Sequence, residues 1–384
     1  MYQLRDYQRQ AVDSAVAYLQ QPTKRNGVLI LPTGAGKSLV IAAIAYKLDS
    51  PVLIFQPSKE ILEQNYHKLL SYGVLDAGIY SASFNSKSVR KVTFATIGSV
   101  KNNKDYFRRF RYAIIDECHL VNAEEGMYKD FIDTIQCKVI GLTATPYRLY
   151  SSSFYGSMLR FITRTRPRIF SDVVYSVQVR DLLNKGYLSP LNYYQLPIIN
   201  TSRLVLNSNG SDYTDRSVRK HYKEVNFSDE LISVVNRLIT AGRSSILVFT
   251  RFIEEAEALA KALGNKAAVV TGDTPANERE RILRVFKGRG IKVVTNVGVL
   301  TTGFDFPELD TVVLARPTMS LALYYQMVGR AIRPCKDKIG WIVDLCGNYK
   351  RFGRVDNLEV RQRTSGIWAV YSGQKQLTNV WFNR

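Results

Sequence analysis

Two short stretches of the chain contain the residue types that a nucleoside-triphosphate site requires. The first is Leu31-Pro-Thr-Gly-Ala-Gly-Lys-Ser38, which follows the apolar run Val28–Leu31 and leads into a helix-like segment that ends at Tyr46. A buried strand, a glycine loop and a helix are the elements that position a phosphate-binding loop. We therefore predict that ATP is bound by the following loop residues: Thr33, Gly34, Gly36, Lys37 and Ser38.

The side chains of this loop have distinct expected roles. Gly34 and Gly36 let backbone amides close around phosphate oxygens, and the helix N-terminus that follows adds favourable dipole charge. Lys37 reaches the β- and γ-phosphates, and the hydroxyl of Ser38 is a ligand of Mg²⁺. ATP and Mg²⁺ are therefore the expected cofactors.

The second stretch, Asp116-Glu-Cys-His119, supplies two adjacent carboxylates. It follows the apolar run Tyr112–Ile115, and ligands of open α/β sheets bind at the carboxyl ends of the strands. We expect Asp116 to hold the metal ion and Glu117 to orient or deprotonate an attacking water. A glycine turn or an acidic loop is common by itself, but the two in this order predict an ATPase.

A third group lies in Gln326-Met-Val-Gly-Arg-Ala-Ile-Arg333. Gln326, Arg330 and Arg333 follow the i, i+4, i+7 spacing, so one helix face is expected to carry an amide and two guanidinium groups. Arginines that reach a γ-phosphate across a cleft accelerate its transfer. We therefore count these three residues, with the loop lysine and the glutamate above, as candidate catalytic residues. A solvated helix face is the ordinary alternative.

The charge of the chain favours a polyanionic partner. Its 384 residues include 53 Lys and Arg against 33 Asp and Glu, a formal charge of +20. We predict nucleic acid rather than an acidic membrane, because the basic residues are spread along the chain and no basic amphipathic helix is evident. No apolar run approaches the ~18 residues of a membrane span, and the N-terminus has no signal-like core. We expect a soluble cytoplasmic protein, encoded by a bacterium or a phage, with no membrane partner.

The first half of the chain alternates strand-like and helix-like segments. Strands are predicted at 28–31, 51–55, 91–95, 112–116 and 138–142, and helices at 6–20, 37–47, 58–70 and 97–109. This rhythm indicates a parallel sheet with helices on both faces. The stretch 147–190 is less regular, with a predicted helix at 172–185.

A second alternation begins at Ser228, which is predicted to cap a helix. The other elements are strands at 245–250, 267–270, 291–295, 311–315 and 340–344, and helices at 253–263, after Thr274-Pro275 and near 320–332. The predicted fold class is α/β, with two tandem domains at 1–190 and 191–350 and a hinge near Ser189-Pro190. Residues 351–384 are expected to be a short appendage, a small β hairpin with strands at 367–371 and 377–382 around Ser372-Gly373.

These motifs, in this order, resemble those of superfamily 2 helicases and translocases over residues 1–350. Leu31 stands where the strict phosphate-loop pattern has its first glycine, and this form is typical of helicase-like ATPases. The resemblance implies two tandem RecA-like domains that hydrolyse ATP in the cleft between them. It also implies additional ATP-binding residues: Arg5 and Gln8, with Gln8 on the adenine edge, and Gly303 and Asp305 from the second domain.

Further motifs of this resemblance imply contacts with nucleic acid. The segments that carry them are Phe55-Gln-Pro-Ser-Lys-Glu60, Thr96-Ile-Gly-Ser99, Thr250-Arg251, Thr271-Gly-Asp273 and Thr295–Asp305. The implied contact residues are Pro57, Ser58, Lys59, Thr96, Ser99, Thr250, Arg251, Thr271 and Thr295. Leu142-Thr-Ala-Thr-Pro146 resembles the motif that couples hydrolysis to strand movement through Thr143 and Thr145.

Within superfamily 2, several phrases resemble RadD-type bacterial DNA repair helicases. They include Leu31–Ala42, Gly141-Leu-Thr-Ala-Thr-Pro146 and the hinge-like Lys185-Gly-Tyr-Leu-Ser-Pro190. RadD proteins carry a cysteine-rich zinc module after the motor. The cysteines of this chain are too scattered for a zinc site or a disulfide framework, so we expect no zinc: Cys118, Cys137, Cys335 and Cys346.

The path of the nucleic acid is left open by the sequence. Arginines alternate with apolar residues between Arg160 and Arg168, with Phe154 and Tyr155 just upstream, which suits either a base-stacking groove or an ordinary basic edge strand. The cluster Lys104–Arg111 is similar, and its aromatics are expected to pack under the next strand. The other basic or aromatic candidates are Arg164, Arg166, Lys350–Arg354, Trp368 and Trp381.

These observations predict a monomeric motor that couples Mg-ATP hydrolysis to movement along DNA. Three alternatives stay open: an RNA helicase, a double-strand DNA translocase that does not separate strands, and a nucleic-acid-binding module whose ATP site only switches conformation. Contacts with the phosphate backbone do not distinguish DNA from RNA, because they are nearly independent of the bases.

Overall fold

The structure is a computed structural model, and it describes residues 3–152, 154–208, 210–301 and 303–382. The helices in these ranges are α1 (Asp6–Gln20), α2 (Lys37–Lys47), α3 (Lys59–Ser71), α4 (Ile97–Val100), α5 (Met127–Ile135), α6 (Val179–Asn184), α7 (Asp215–Glu224), α8 (Phe227–Thr240), α9 (Ile253–Leu263), α10 (Ala276–Lys287), α11 (Leu321–Val328) and α12 (Asn348–Phe352). In these ranges no helix is long and apolar enough to cross a bilayer.

The strands of the same ranges run through the whole chain. They are β1 (Asn26–Ile30), β2 (Val52–Phe55), β3 (Ala77–Ser81), β4 (Ser86–Lys87), β5 (Val92–Ala95), β6 (Tyr112–Asp116), β7 (Lys138–Thr143), β8 (Tyr147–Ser152), β9 (Gly156–Phe161), β10 (Phe170–Ser176), β11 (Leu191–Gln195), β12 (Ile246–Thr250), β13 (Ala267–Val270), β14 (Val293–Asn296), β15 (Thr311–Ala315), β16 (Gly340–Asp344), β17 (Leu358–Thr364), β18 (Ile367–Ser372), β19 (Lys375–Gln376) and β20 (Trp381–Phe382).

The first half forms a sheet whose strand order, in the described part of the chain, is β10-β1-β7-β6-β2-β5-β3-β4. All neighbours are parallel except β3 and β4. Every residue of β2, β5 and β6 is buried, as is usual where helices cover both faces of a parallel sheet. The carboxyl ends of β1, β7 and β6 are adjacent, so the glycine loop and the acidic pair meet at one edge.

A second, all-parallel sheet has the order β11-β16-β15-β12-β14-β13. Its central strands β12 and β15 are buried throughout. The predicted α/β class is confirmed. Because β10 belongs to the first sheet and β11 to the second, the chain crosses between residues 176 and 191, around the predicted hinge. The domain bounds themselves stay a prediction.

Three predicted helices differ from the observed elements. The segment 172–185 begins as part of β10, because its residues Asp172–Ser176 lie along β1 in parallel, and only α6 is helical. The predicted helix 97–109 is reduced to α4 and a 3-10 turn at Lys104–Phe107. Asn102 and Asn103, which have low helix propensity, separate the two. The helix predicted near 320–332 is shorter in the structure, because α11 ends at Val328.

The C-terminal segment is more than the predicted hairpin. The strand predicted at 367–371 is β18, but its long antiparallel partner is β17, and only the short β19 follows the turn at Ser372-Gly373. Of the strand predicted at 377–382, only the two residues of β20 form a strand. That strand pairs with β9, in a sheet of order β20-β9-β8, so the end of the chain returns to the first half of the molecule. The sequence missed β8 and β9 because residues 147–165 lack a long apolar run.

Gly141 in β7 is packed too tightly to carry a side chain. A β-carbon at this position would lie 2.5 Å from the sulfur of Cys118 and 2.9 Å from the ring of Phe170. We expect Gly141→Ala to lower the free energy of unfolding by about 1–3 kcal/mol, the usual cost of overpacking a core. Urea denaturation measures this change. Gly98→Ala is the matched control, because no atom of another segment in the described ranges lies within 4 Å of its β-carbon position. An equal loss in both variants would contradict this account.

Candidate active site

The phosphate loop joins the end of β1 to the start of α2. Gly36 has a φ of 75° and a ψ of 42°, a left-handed conformation that glycine adopts most easily, and α2 begins directly after it at Lys37. A β-carbon at Gly36 would also lie 2.6 Å from Nε2 of Gln8. The first amides of a helix have no partner within the helix, so this geometry suits a bound phosphate.

Gln8 is buried behind the loop. Its Nε2 donates to the carbonyl oxygen of Ala35 at 2.9 Å, and its Oε1 accepts from the amide of Arg5 at 3.0 Å. The guanidinium of Arg5 lies 4.4 Å from the ring centroid of Tyr187 and donates to its carbonyl oxygen at 3.2 Å. The structure therefore places both residues where they support the loop, and it does not bring them to the wall of the cavity described below.

The carboxylate of Glu117 contacts two basic side chains at the sheet edge, Lys37 at the start of α2 and His119 in the segment after β6. Nζ of Lys37 lies 3.1 Å from Oε1 of Glu117, and Nδ1 of His119 lies 3.3 Å from its Oε2. The same His119 nitrogen lies 2.9 Å from Oγ1 of Thr143, which accepts from the amide of Thr145 at 3.0 Å. The acidic pair is thus linked directly to the end of β7.

The two carboxyl groups have opposite pKa shifts. Burial raises the pKa of Asp116, and the neighbouring charge of Glu117 raises it further. Burial also acts to raise the pKa of Glu117, but Lys37 and His119 outweigh it and lower that pKa. Glu117 is therefore ionised at neutral pH, and Asp116 is the carboxyl group whose ionised form gains most from a bound cation.

Sequence reasoning missed a polar residue that contacts Asp116. Asn65 in α3 is 2% exposed, and its Nδ2 lies 3.4 Å from Oδ2 of Asp116 and 3.0 Å from Oε1 of Gln56. Among the described residues, Oδ1 of Asn65 has no hydrogen-bond partner. The available signal was an amide at helical spacing between Leu62 and Leu69, the apolar residues that α3 buries.

The candidate catalytic arginines follow the end of α11. Gln326 lies in the helix, but Arg330 and Arg333 lie beyond Val328, so the predicted single helix face is wrong. Nη1 of Arg330 donates to the carbonyl oxygen of Phe304 at 2.7 Å, and Arg333 forms an ion pair with Asp305. Burial lowers the pKa of Arg330 to about 9, with the nearby charge of Arg333 adding to the shift.

One cavity of about 560 Å³ brings these groups together. Its volume lies in the range of about 300–1,000 Å³ that is typical of ligand sites. The predicted residues on its wall are Thr33, Gly34, Gly36, Lys37, Ser38, Asp116, Glu117, Gly303, Asp305, Gln326, Arg330 and Arg333. The cavity therefore has one wall from the phosphate loop and the acidic pair and another from the arginine segment of the second half.

The oxygen ligands on the phosphate-loop wall of the cavity fit Mg²⁺. Ser38 and Asp116 offer a hydroxyl and a carboxylate, and Mg²⁺ is commonly held by one or two carboxylates with phosphate oxygens and waters in its other positions. Oδ1 of Asn65, which has no hydrogen-bond partner among the described residues, would accept a hydrogen bond from such a water. In the described ranges, no group of three or more His, Cys, Asp or Glu side chains is placed to hold a metal.

The nucleic-acid residues predicted in the first half share one edge of its sheet. The segments after β2 and β5 are adjacent because these strands pair in parallel. Ser58 caps α3 through its hydroxyl, and the hydroxyl oxygens of Thr96 and Ser99 lie 2.9 Å apart. The predicted residues at this edge are Pro57, Ser58, Lys59, Thr96 and Ser99.

The second half places its predicted contacts differently. Thr250 and Thr295 are 1% and 0% exposed, so neither can touch a strand in this arrangement. The Arg251 side chain is also buried, in ion pairs with acidic residues of segment 212–215. Thr271, at the end of β13, is partly exposed. The structure therefore does not place Thr250, Thr295 and the Arg251 side chain at the surface, and their contact with nucleic acid stays a prediction.

Two protein families match the chain. Residues 1–148 match the family described as type III restriction enzyme, res subunit, and residues 230–335 match the helicase conserved C-terminal domain. The first range contains the phosphate loop and the acidic pair, and the second contains the arginine segment.

Curated relatives match over most of this chain. A 51.5 kDa protein of a Lactococcus phage is 28% identical in a 355-residue alignment that covers 90% of this chain and 71% of the relative. The DNA 3'-5' helicase XPB of Mycobacterium tuberculosis is 26% identical in a 353-residue alignment that covers 89% of this chain and 60% of the relative. The putative ATP-dependent helicase IRC3 of Saccharomyces cerevisiae is 25% identical, and the match covers 49% of its length. The chain thus spans between about half and seven tenths of the length of these three relatives.

Solved structures support the fold. The ATP-dependent type ISP restriction-modification enzyme LlaBIII bound to DNA matches with a TM-score of 0.65 at 18% identity, over 90% of this chain and 28% of that enzyme. Dbp5 of Saccharomyces cerevisiae bound to RNA and ADP BeF3 matches with a TM-score of 0.60 at 16% identity, over 88% of this chain and 83% of Dbp5. Both carry the two-domain RecA-like fold, which is therefore the fold of this chain.

Asn65→Ala tests the contact between α3 and Asp116. The substitution removes the donor to Asp116 and the acceptor for a metal-bound water, and such outer partners typically contribute 10–100-fold in metal affinity. We expect the Mg²⁺ concentration for half-maximal binding of a fluorescent ATP analogue to rise about 10-fold. Glu63→Ala, an exposed change on the same helix, is the control and should leave the Mg²⁺ titration unchanged. An unaltered titration in the Asn65 variant would contradict the assignment.

Proposed function

Because the chain carries both helicase-family domains of superfamily 2, we propose that it is an ATP-driven motor that moves along DNA. One observation supports this proposal above the others: a single cavity collects the phosphate loop and acidic pair from one half and the arginine segment from the other. A site divided between two bodies is complete only when they approach. Binding and hydrolysis of ATP then alternate closed and open arrangements, and alternate grips on a strand become steps.

Lys37 exchanges partners in this mechanism. Its Nζ lies 3.1 Å from Glu117 in the structure, and a bound triphosphate competes for the same ammonium group. When Lys37 moves to the phosphates, Glu117 loses a contact that lowers its pKa. Its carboxylate then becomes a better acceptor for a proton of the attacking water. ATP therefore activates the base by removing the lysine from it.

Arg333 makes a parallel exchange on the other wall. It pairs with Asp305, and both residues line the cavity, so the γ-phosphate competes with Asp305 for the guanidinium. Arg330 is held by the carbonyl oxygen of Phe304 and needs no rearrangement to keep its place. The two guanidinium groups stabilise the charge that develops on the transferred phosphoryl group. Ser38 and Asp116 would hold Mg²⁺, which would neutralise phosphate charge.

Charge and relatives favour DNA as the track. The formal charge of +20 suits a polyanion, and the mycobacterial relative is named a DNA helicase. RNA stays the first alternative, because Dbp5 was solved with RNA and backbone contacts do not distinguish the two. A duplex translocase is the second, since LlaBIII is a restriction enzyme bound to DNA. A conformational switch without turnover is disfavoured by the catalytic groups on both walls. A RadD-type role in DNA repair is part of the proposal.

The track is tested by steady-state ATP hydrolysis without polymer and with single-stranded DNA, duplex DNA or RNA. We expect DNA to stimulate turnover more strongly than RNA. Lys37→Ala should abolish turnover, because the triphosphate loses its ammonium partner, whereas Lys47→Ala, at the exposed end of the same helix, should retain it. Duplex preference would favour the translocase, and stimulation by RNA alone would contradict the DNA assignment. Turnover that persists in Lys37→Ala would contradict the site itself.

Arg333→Ala tests the division of the site between the two halves. Loss of an arginine that stabilises the transferred phosphoryl group typically costs about 10³–10⁵ in rate. We expect a kcat decrease of this order with a KM for ATP that changes less, because the contact forms mainly in the transition state. Arg237→Ala, an exposed arginine of α8, is the matched control. A kcat that stays near that of the control would show that hydrolysis needs only the first half.

A further inference from the structure

The sheet formed by β8, β9 and β20 has one face of unusual composition. Side chains alternate between the faces of a strand, and cross-strand partners share a face. Arg148 pairs with Arg160, Tyr150 pairs with Met158, and Met158 also pairs with Trp381. These five residues therefore lie together, and we call this surface the arginine–aromatic face.

The opposite face fixes which way the sheet is turned. Tyr147, Leu159 and Phe161 alternate with the residues of the arginine–aromatic face and are only 3%, 7% and 0% exposed. Burying these three anchors the sheet on the first half of the molecule. Leu149 and Ser151, nearer the hairpin tip on the same side, are exposed, and the β8 and β9 residues of the arginine–aromatic face are partly exposed. The arginine–aromatic face is therefore open to solvent in part, most of all near the hairpin tip.

The aromatic rings on this surface form an exposed cluster. The ring centroids of Tyr155 and Trp381 lie 5.3 Å apart with a 31° angle between the planes, and Tyr150 lies 5.9 Å from Trp381. Tyr155 is 63% exposed, Trp381 is 42% exposed, and the neighbouring Phe154 is 74% exposed. A cluster of large exposed aromatic side chains marks a candidate binding surface.

The two segments that form the cluster carry positive charge and contain no acidic residues. Residues 147–170 contain five arginines and no Asp or Glu, and residues 373–384 also contain no Asp or Glu. The guanidinium of Arg160 lies 3.3 Å from the ring centroid of Tyr150. Arg164, Arg166 and Arg168 are exposed just beyond β9. A partner of this surface must therefore combine flat apolar groups with negative charge.

We propose that the arginine–aromatic face binds the unpaired bases of a single nucleic-acid strand, and this inference rests on the proposed function. Bases stack on Tyr155 and Trp381, and the arginines that follow β9 hold the phosphates. Aromatic platforms in a basic groove are the usual means of holding a single strand without sequence preference. A duplex offers no free base faces, and a second copy of this basic chain would meet like charge.

The tail makes this platform a composite of two distant segments. Trp381 reaches the hairpin because Asn379 fixes the tail. Oδ1 of Asn379 accepts from the main-chain amide of Phe161 at 3.0 Å, and the main-chain amide of Asn379 donates to the carbonyl oxygen of Leu159 at 2.6 Å. The cluster at Lys104–Arg111 lacks such a platform. Phe107 and Phe110 are 0% and 2% exposed there and pack in the core as predicted, whereas the prediction is wrong for Tyr106, which is 69% exposed.

The test is fluorescence anisotropy of labelled oligo-dT and of an abasic strand with the same number of phosphates. Trp381→Ala and Tyr155→Ala should each weaken binding of oligo-dT about 10-fold and reduce the preference for oligo-dT over the abasic strand. Trp381→Phe should keep most of the affinity. Tyr106→Ala is the matched control, an aromatic side chain that is 69% exposed at a different site. Thermal unfolding of each variant verifies that it is folded.

The outcomes separate this inference from the proposed function. Unchanged binding in both Ala variants, with normal binding by the wild type, overturns the stacking platform alone. Failure of the wild type to bind either strand overturns the motor proposal as well. If Trp381→Ala loosens the tail, the Tyr155→Ala variant still tests the stacking platform, because Tyr155 takes no part in the strand pairing. A change in molar mass by light scattering without a change in binding would assign the face to contact between copies.

Discussion

The parallel pairing of β1 with β7 and of β7 with β6 is the constraint on which the site depends. Three adjacent strands that run in one direction must end at one edge, so the loop after β1 and the carboxylates after β6 become neighbours. The 3.1 Å contact between Lys37 and Glu117 is the direct result. Local structure alone does not bring these two residues together, because 79 intervening positions separate them. The sheet brings them into contact.

The parts of the fold that the sequence predicted are those with strong local signals. β6 and α9 have the predicted bounds, 112–116 and 253–263, because one is a continuous apolar run and the other ends at a glycine. The phosphate loop was also predicted from a local signal, because its backbone needs glycine where φ is positive. The residues on the cavity wall were therefore foreseeable in type and order, whereas their mutual distances were not.

The errors arise where tertiary contacts decide the local structure. The helix predicted at 172–185 overlooked Val173, Val174 and Tyr175, residue types that favour strands, and parallel pairing with β1 makes this segment extended. The position of Asn65 beside Asp116 depends on how α3 packs, which no spacing within α3 reveals. The pairing of β20 with β9 joins residues more than 200 positions apart, and two-residue strands have no periodicity to detect.

The cavity and the arginine–aromatic face are connected through a very short stretch of chain. Thr143, at the end of β7, contacts His119 of the acidic motif and accepts from the amide of Thr145. The amide of Tyr147, the first residue of β8, donates in turn to the carbonyl oxygen of Thr145 at 2.8 Å. These hydrogen bonds join Thr143 to the start of β8 within four residues of chain. The cavity and the surface that we propose for the bases therefore lie at the two ends of one short hydrogen-bonded segment.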